Sequence, residues 1–256
     1  NAGMNSSVLK GAQLSGGSRA VELGLITLKG TKGLANRMFI LGLITALAIL
    51  YVSYMNTGST SNAINSLIIA GIGVFIGYFY TAKPIKLSSL YGLGELSIFL
   101  AFGPLLTLGT GFAISSDTII LYSQEFYNLI LIGVPLGLLT TNILFINQYP
   151  DYTSDKKVGK NNLVVLLGKR TSKWIYALNS ALAVGSLYFI SQNILNETQS
   201  TLFLYVLIPV TMIYSYYLIS GLFKYYNSRK LIKYNIQTIY FHMFFSFIYM
   251  IILGSF

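Results

Sequence analysis

The chain has 256 residues, 54% of them hydrophobic and only 9% charged, an apolar excess that one water-soluble core cannot bury. Its net charge of +10 would suggest nucleic acid as the partner of a soluble protein, but a membrane protein gathers the same lysines and arginines on one face. Cysteine is absent, which excludes disulfides, thiolate metal sites and a cysteine nucleophile.

In chain order, residues 1–36 are mixed, glycine-rich and basic, with Lys10, Arg19, Lys29 and Lys32 against a lone Glu22, and read as a loop. The first residue is Asn1 and no signal-peptide pattern follows, so a piece of a longer chain is expected. Seven apolar segments come next, at residues 37–55, 62–80, 95–114, 126–146, 174–192, 202–223 and 236–254. Each is close to the ~20 residues that span a bilayer. Lipid cannot satisfy free backbone groups, so runs of this length must be helical. The predicted architecture is an all-α transmembrane bundle forming a single domain over residues 1–256.

The connections fix its orientation. Loops 56–61, 115–125 and 193–201 contain no Lys or Arg, whereas segments 1–37, 81–94, 147–173 and 224–235 hold all 17 basic residues. The positive-inside rule places those four segments in the cytoplasm, which accounts for the charge and leaves no need for a nucleic-acid partner.

Within this frame a few side chains carry chemistry. Gly16-Gly17-Ser18-Arg19 is either a flexible turn or a backbone nest with a guanidinium for phosphate. Tyr80-Thr-Ala-Lys83-Pro84-Ile-Lys86 reads on its own as a helix stop with interfacial aromatics and flanking lysines. Glu95 opens an apolar span, where a carboxylate is costly unless it is paired, wet or set against a helix N-terminus.

The richest stretch is Asn147-Gln-Tyr-Pro-Asp151-Tyr-Thr-Ser-Asp155-Lys156-Lys157-Val-Gly159-Lys160. Its two carboxylates are four residues apart, which on a helix puts them on one face. Mg²⁺ takes oxygen ligands, commonly one or two carboxylates plus substrate phosphates, and lysines suit the remaining phosphate charge. The alternative is a solvated loop in which Asp pairs with Lys156, Lys157 or Lys160. Asn147, one turn before Asp151, offers a further oxygen, and Pro150 is predicted to bend or end the helix before Asp151. Further on, Trp174 reads as an interface anchor. In the last span Asn235, Thr238 and His242 share a helical face suited to interhelical hydrogen bonds.

These residues together resemble the UbiA-type intramembrane prenyltransferases, and within them the dihydroxynaphthoate polyprenyltransferase branch of menaquinone synthesis. The resemblance rests on Asn147-Gln-Tyr-Pro-Asp151…Asp155…Gly159-Lys160…Leu163-Val-Val-Leu-Leu-Gly168, which is similar to that branch's second aspartate motif. It is supported by Tyr80…Pro84…Gly92-Leu-Gly94-Glu95…Gly103-Pro104, by Gly16-Gly17-Ser18-Arg19 and by Asn235…Thr238…His242. The chain departs from the pattern at Gln148, where an acid or Asn is common, at Asn162, where Thr is common, and at Tyr91, where a basic residue is frequent. The family has nine helices and a first aspartate motif after its second. Here seven spans are visible and no aspartate precedes Asp117, so the expectation is the last seven of nine.

The resemblance implies transfer of a polyprenyl group from its diphosphate to an aromatic acceptor of the dihydroxynaphthoate type, in quinone biosynthesis, with Mg²⁺ assisting diphosphate departure. It implies Asp151, Asp155 and Asn147 as metal ligands, Arg19, Lys83, Lys86, Lys156 and Lys160 toward diphosphate, and Tyr80 and Glu95 in acceptor orientation or deprotonation. The protein is then expected in the cell membrane with its site on the cytoplasmic side. Another acceptor (a glycerol-phosphate lipid, a homogentisate or a tetrapyrrole) is the alternative within the family. A seven-helix transporter would need charged groups inside its spans, which offer almost none beyond His242.

Overall fold

A computed structural model describes residues 24–254. The chain divides into two units, Asn1–Ala48 and Ile49–Phe256. In the first unit helix α1 (Leu28–Thr57) begins inside the stretch expected to be a loop. The start is set by Thr27, whose Oγ1 accepts the Gly30 N–H at 3.0 Å and so caps a first turn that hydropathy alone does not mark.

The second unit continues with α2 (Thr60–Phe79), a short 3₁₀ turn (Leu87–Ser89), α3 (Leu93–Phe102) and α4 (Pro104–Ile114). The long α5 (Gln124–Lys157) and α6 (Leu163–Asn193) follow, then α7 (Glu197–Leu202), a π-turn (Phe203–Leu207), α8 (Ile208–Tyr225) and α9 (Leu231–Gly254). Seven stretches are long and apolar enough to cross a membrane, in line with the sequence, and no strand occurs among the described residues. The main core lies among α5, α6, α8 and α9, where Phe145, Tyr149, Tyr176, Leu187, Phe203 and Phe245 are almost fully buried.

Three further boundaries differ from expectation, each for a local reason. The span expected over 95–114 is broken at Gly103, because Pro104 has no N–H and starts a new helix. The segment 147–173 is mostly helix rather than loop, with only residues 158–162 connecting α5 to α6. Within α6, Gly168 turns at φ 76° and ψ 153°, a conformation essentially reserved for glycine, which gives the Leu-Leu-Gly168 tail a structural reason.

The third difference concerns Pro150, predicted to bend or end the helix before Asp151. Helix α5 instead runs through it to Lys157. Proline leaves the carbonyl four residues earlier, that of Ile146, without its usual donor. The Asn235 side chain of α9 fills this role, its Nδ2 donating to Ile146 O at 3.4 Å and to Asn147 Oδ1 at 3.1 Å. A neighbouring helix thus re-satisfies the freed group, as membrane helices permit. Asn235 is fully buried, so Asn235→Ala is expected to destabilise the protein by about 1–2 kcal/mol through the orphaned carbonyl. Chemical denaturation in detergent checks this, and an unchanged midpoint would remove the compensation argument.

Helices α3, α4 and α5 meet at a glycine crossing. A Cβ built on Gly103 would lie 2.7 Å from Gly133 O, one on Gly133 would lie 2.6 Å from Gly103 C, and one on Gly137 would lie 2.5 Å from Phe99 O. Backbone therefore packs directly on backbone, as small residues spaced four apart allow in membranes. Thr107 ties the crossing down by donating from Oγ1 to Leu129 O at 2.6 Å. The close packing of Gly137 on Phe99 sets α3 against α5, which carry the site residues described next.

Candidate active site

Asn147, Asp151 and Asp155 follow one another at intervals of four on the same continuous helix, α5. They therefore form a single stripe of oxygen-bearing side chains along one face, at the end of a membrane-length apolar helix. The helix stops two residues after Asp155, at Lys157. Gly159 takes φ 70°, the Gly159 N–H bonds Lys156 O at 3.3 Å and the Lys160 N–H bonds Asp155 O at 3.0 Å.

This turn returns Lys160 to the carboxylate, with Nζ 3.0 Å from Asp155 Oδ2. Asn162 Nδ2 donates to the same oxygen at 2.7 Å, while Asn162 Oδ1 caps α6 by accepting the Val165 N–H at 2.9 Å. Asp155 is thus held in a fixed orientation by an ammonium and an amide. The ion pair with Lys160 was one of the partners open to Asp155 from the sequence, and it coexists with the stripe geometry. At Asn147, Oδ1 accepts from Asn235.

The 80–94 segment docks onto the α5–α6 connection. The Asn161 N–H donates to Ser89 O at 3.2 Å, and the Leu163 N–H donates to Glu95 Oε1 at 2.9 Å. A Cβ on Gly92 would meet the Leu163 side chain at 2.9 Å, and one on Gly94 would meet Ser88 Cα at the same distance. Gly92 thus permits the close approach to α6, and Gly94 the tight fold of the segment on itself. Lys83 and Lys86 lie exposed on this docked segment, with Lys86 in the left-handed region at φ 51°. Lys156 is also exposed, with its Nζ 6.0 Å from the Tyr152 ring, and Lys169 stands 5.5 Å from the same ring.

Tyr80 and Glu95 are the partly and fully buried members of this cluster. Glu95 is only 4% exposed, and Oε1 also accepts from Gln148 Nε2 at 2.9 Å. Burial, with the Glu95 carboxylate as a second cause, pushes the Tyr80 phenol up to about 12. At neutral pH Tyr80 therefore keeps its proton.

The structure brings Asn147, Asp151, Asp155, Lys160, Glu95 and the lysine-bearing 80–94 segment to one end of the second unit. Arg19 and its Gly16–Ser18 neighbours lie outside the described residues. Trp174 packs edge-on against Phe223, with ring centroids 4.7 Å apart. The last-helix face behaves as an interhelical seam. The Thr238 hydroxyl is 3.1 Å from Tyr176 OH, and His242 Nε2 is 2.8 Å from Thr140 Oγ1.

Sequence reasoning missed three partners: Gln148 for Glu95, Asn162 for Asp155 and Asn235 for the proline gap. Only Asn162 carried a local signal, as an Asn immediately before an apolar helical run. Among the described residues no group of three or more His, Cys, Asp or Glu side chains gathers. The donor set still suits a hard cation shared with phosphate, since one or two carboxylates with amide oxygen and nearby lysines is what such a site uses.

The model of the UbiA prenyltransferase family matches residues 20–248. The chain is 33% identical over 122 residues to the 2-carboxy-1,4-naphthoquinone phytyltransferase of Synechocystis sp., covering 47% of this chain and 36% of that protein. It is 30% identical over 169 residues to the 1,4-dihydroxy-2-naphthoate octaprenyltransferase of Escherichia coli, covering 66% and 50%. It is 34% identical over 113 residues to the UbiA prenyltransferase domain-containing protein 1 of Dictyostelium discoideum, covering 44% and 32%. The chain thus spans from about a third to half the length of these curated relatives. No solved structure matches it significantly.

Proposed function

Because the chain belongs to the UbiA prenyltransferase family, we propose that it takes part in transferring a polyprenyl group from polyprenyl diphosphate to an aromatic acceptor of the dihydroxynaphthoate type, in quinone biosynthesis. The carrying observation is the Asn147–Asp151–Asp155 stripe, ending in the Asp155–Lys160 ion pair at 3.0 Å. The naphthoate and naphthoquinone acceptors in the relatives' names support the choice of acceptor.

Asp151 and Asp155, with Asn147, are the residues that would hold Mg²⁺, which when bound supplies neutralisation of the charge gathering on the departing diphosphate. Lys160 is already at the carboxylate end of the stripe, and Lys83, Lys86 and Lys156 add positive charge for the remaining phosphate oxygens, with Arg19 as a further candidate. Protonated Tyr80 is suited to donate a hydrogen bond to an acceptor oxygen. Once the allylic C–O bond breaks, the electron-rich ring attacks the allylic cation and loses a proton. The apolar helices beneath the site keep water from capturing that cation. The lysine and arginine distribution supports a stripe on the cytoplasmic side of the cell membrane.

The test is an acceptor panel with membranes carrying the complete protein. Polyprenyl diphosphate is offered with dihydroxynaphthoate, homogentisate, a glycerol-phosphate lipid precursor or a tetrapyrrole. Prenylated naphthoate is the expected product. Product with another acceptor alone would move the protein to a different branch, and no product with any would reject the transferase reading.

A further inference from the structure

Glu95 has the chemical type of a general base, yet its surroundings suit a different task. One oxygen, Oε1, accepts two hydrogen bonds at 2.9 Å, from Gln148 Nε2 on α5 and from the first backbone N–H of α6, at Leu163. The other oxygen, Oε2, is buried and meets no donor. The same is true of the amide oxygen of Gln148, Oε1, and both residues are at most 5% exposed. Neither oxygen therefore presents surface from which a substrate proton can be reached, and the geometric requirement for a base is unmet.

What Glu95 does reach is structural on both sides of the aspartate motif. Gln148 precedes Asp151 by three residues, and Leu163 follows the Asp155 partner Asn162 directly. We infer that Glu95 is a positioning residue, one oxygen of which locks the start of α3 to the turn before Asp151 and to the first residue of α6, and so holds Asn162, the partner of Asp155, against the aspartate stripe. The glycine crossing at Gly103 holds α3 and α5 close enough for this short link. The assignment rests on the prenyltransferase reading for its consequence, but the clamp itself does not depend on turnover.

The inference makes an unusual demand on substitutions. In Glu95→Gln the amide oxygen still accepts from both partners, and the new NH₂ group can donate to the orphaned Gln148 Oε1. A base would be destroyed by the same change. In Glu95→Leu both links are lost, and Gln148→Met removes one of them from the other side.

The experiment uses the complete protein and reads three quantities: hydrogen exchange at the Leu163 amide without metal, the half-saturating Mg²⁺ concentration, and the rate of product formation. Glu95→Gln is expected to keep Leu163 protected and to form product within about threefold of wild type. Glu95→Leu is expected to speed Leu163 exchange at least about tenfold and to raise half-saturating Mg²⁺ by about tenfold or more, the usual scale for losing a residue that orients a ligand. If Glu95→Leu does not fold, Gln148→Met serves instead, with half-saturating Mg²⁺ expected to rise at least about threefold while Leu163 stays protected.

A hundredfold loss of rate in Glu95→Gln with Leu163 still protected would overturn the inference, since the carboxylate itself would then be needed for chemistry. Unchanged Leu163 exchange in Glu95→Leu, or unchanged half-saturation in Gln148→Met, would overturn it too. A wild-type protein that forms no prenylated product with any acceptor would instead sink the transferase reading, and the exchange arm would still decide the clamp.

Discussion

Asp151→Asn and Asp155→Asn, each made in the complete protein, are expected to lower product formation by about a thousandfold at saturating Mg²⁺. The magnitude follows from where the carboxylates act. Charge accumulates on the leaving diphosphate only as the allylic bond breaks, so groups that offset it lower the barrier without tightening ground-state binding to the same degree. An asparagine at 155 keeps an oxygen for Asn162 but loses the charge that faces Lys160. Folding should survive, because the Asp155 side chain is near the surface at 13% exposure and its ion pair is a partly solvated one. The loss should therefore fall on the chemical rate, while thermal stability in detergent stays close to wild type. Activity within tenfold of wild type for both variants would reject the stripe as the metal-diphosphate site.

Gly137→Leu should be the most damaging single change to the fold. A Cβ at this position would lie 2.5 Å from the Phe99 carbonyl oxygen, so relief requires backbone to move. Overpacking of this kind costs about 3 kcal/mol or more, and leucine's good helix propensity does not offset it. Gly185→Ala is the matched control, since a Cβ there meets nothing within 4 Å and alanine favours the helix by up to about 1 kcal/mol. Thermal or denaturant unfolding should separate the two variants in opposite directions. A Gly137→Leu protein as stable as wild type would mean that the α3–α5 crossing is not this close.

The membrane spans were legible in the sequence because hydropathy over 20 residues is a strong, local signal, and the aspartate stripe because a spacing of four is a helical spacing. The rest depended on contacts far apart in the chain. Pro150 reads as a bend or an end of the helix until Asn235, from the last helix, supplies the missing donor to Ile146 O. The break at Gly103 is invisible to hydropathy, since both halves of that span are equally apolar. Glu95 looked catalytic because an acid at the head of an apolar span needs a reason, and its partners lie 53 and 68 residues away. Of these, Gln148 had registered only as a departure from a familiar pattern.

The unbroken course of α5 has a bearing on how the proposed lipid-tailed substrate would arrive. Thirty-four residues make a rod about 51 Å long, against about 30 Å of bilayer hydrocarbon. An apolar stretch that enters near Phe126 is used up by about Phe145, six residues and nearly two turns short of Asp151. The carboxylates then stand at the depth of the phospholipid headgroups. A prenyl diphosphate dissolved in the membrane carries its own phosphates at that same depth, with its tail already among the acyl chains. It can meet the stripe by sideways diffusion within one leaflet, without leaving the lipid phase.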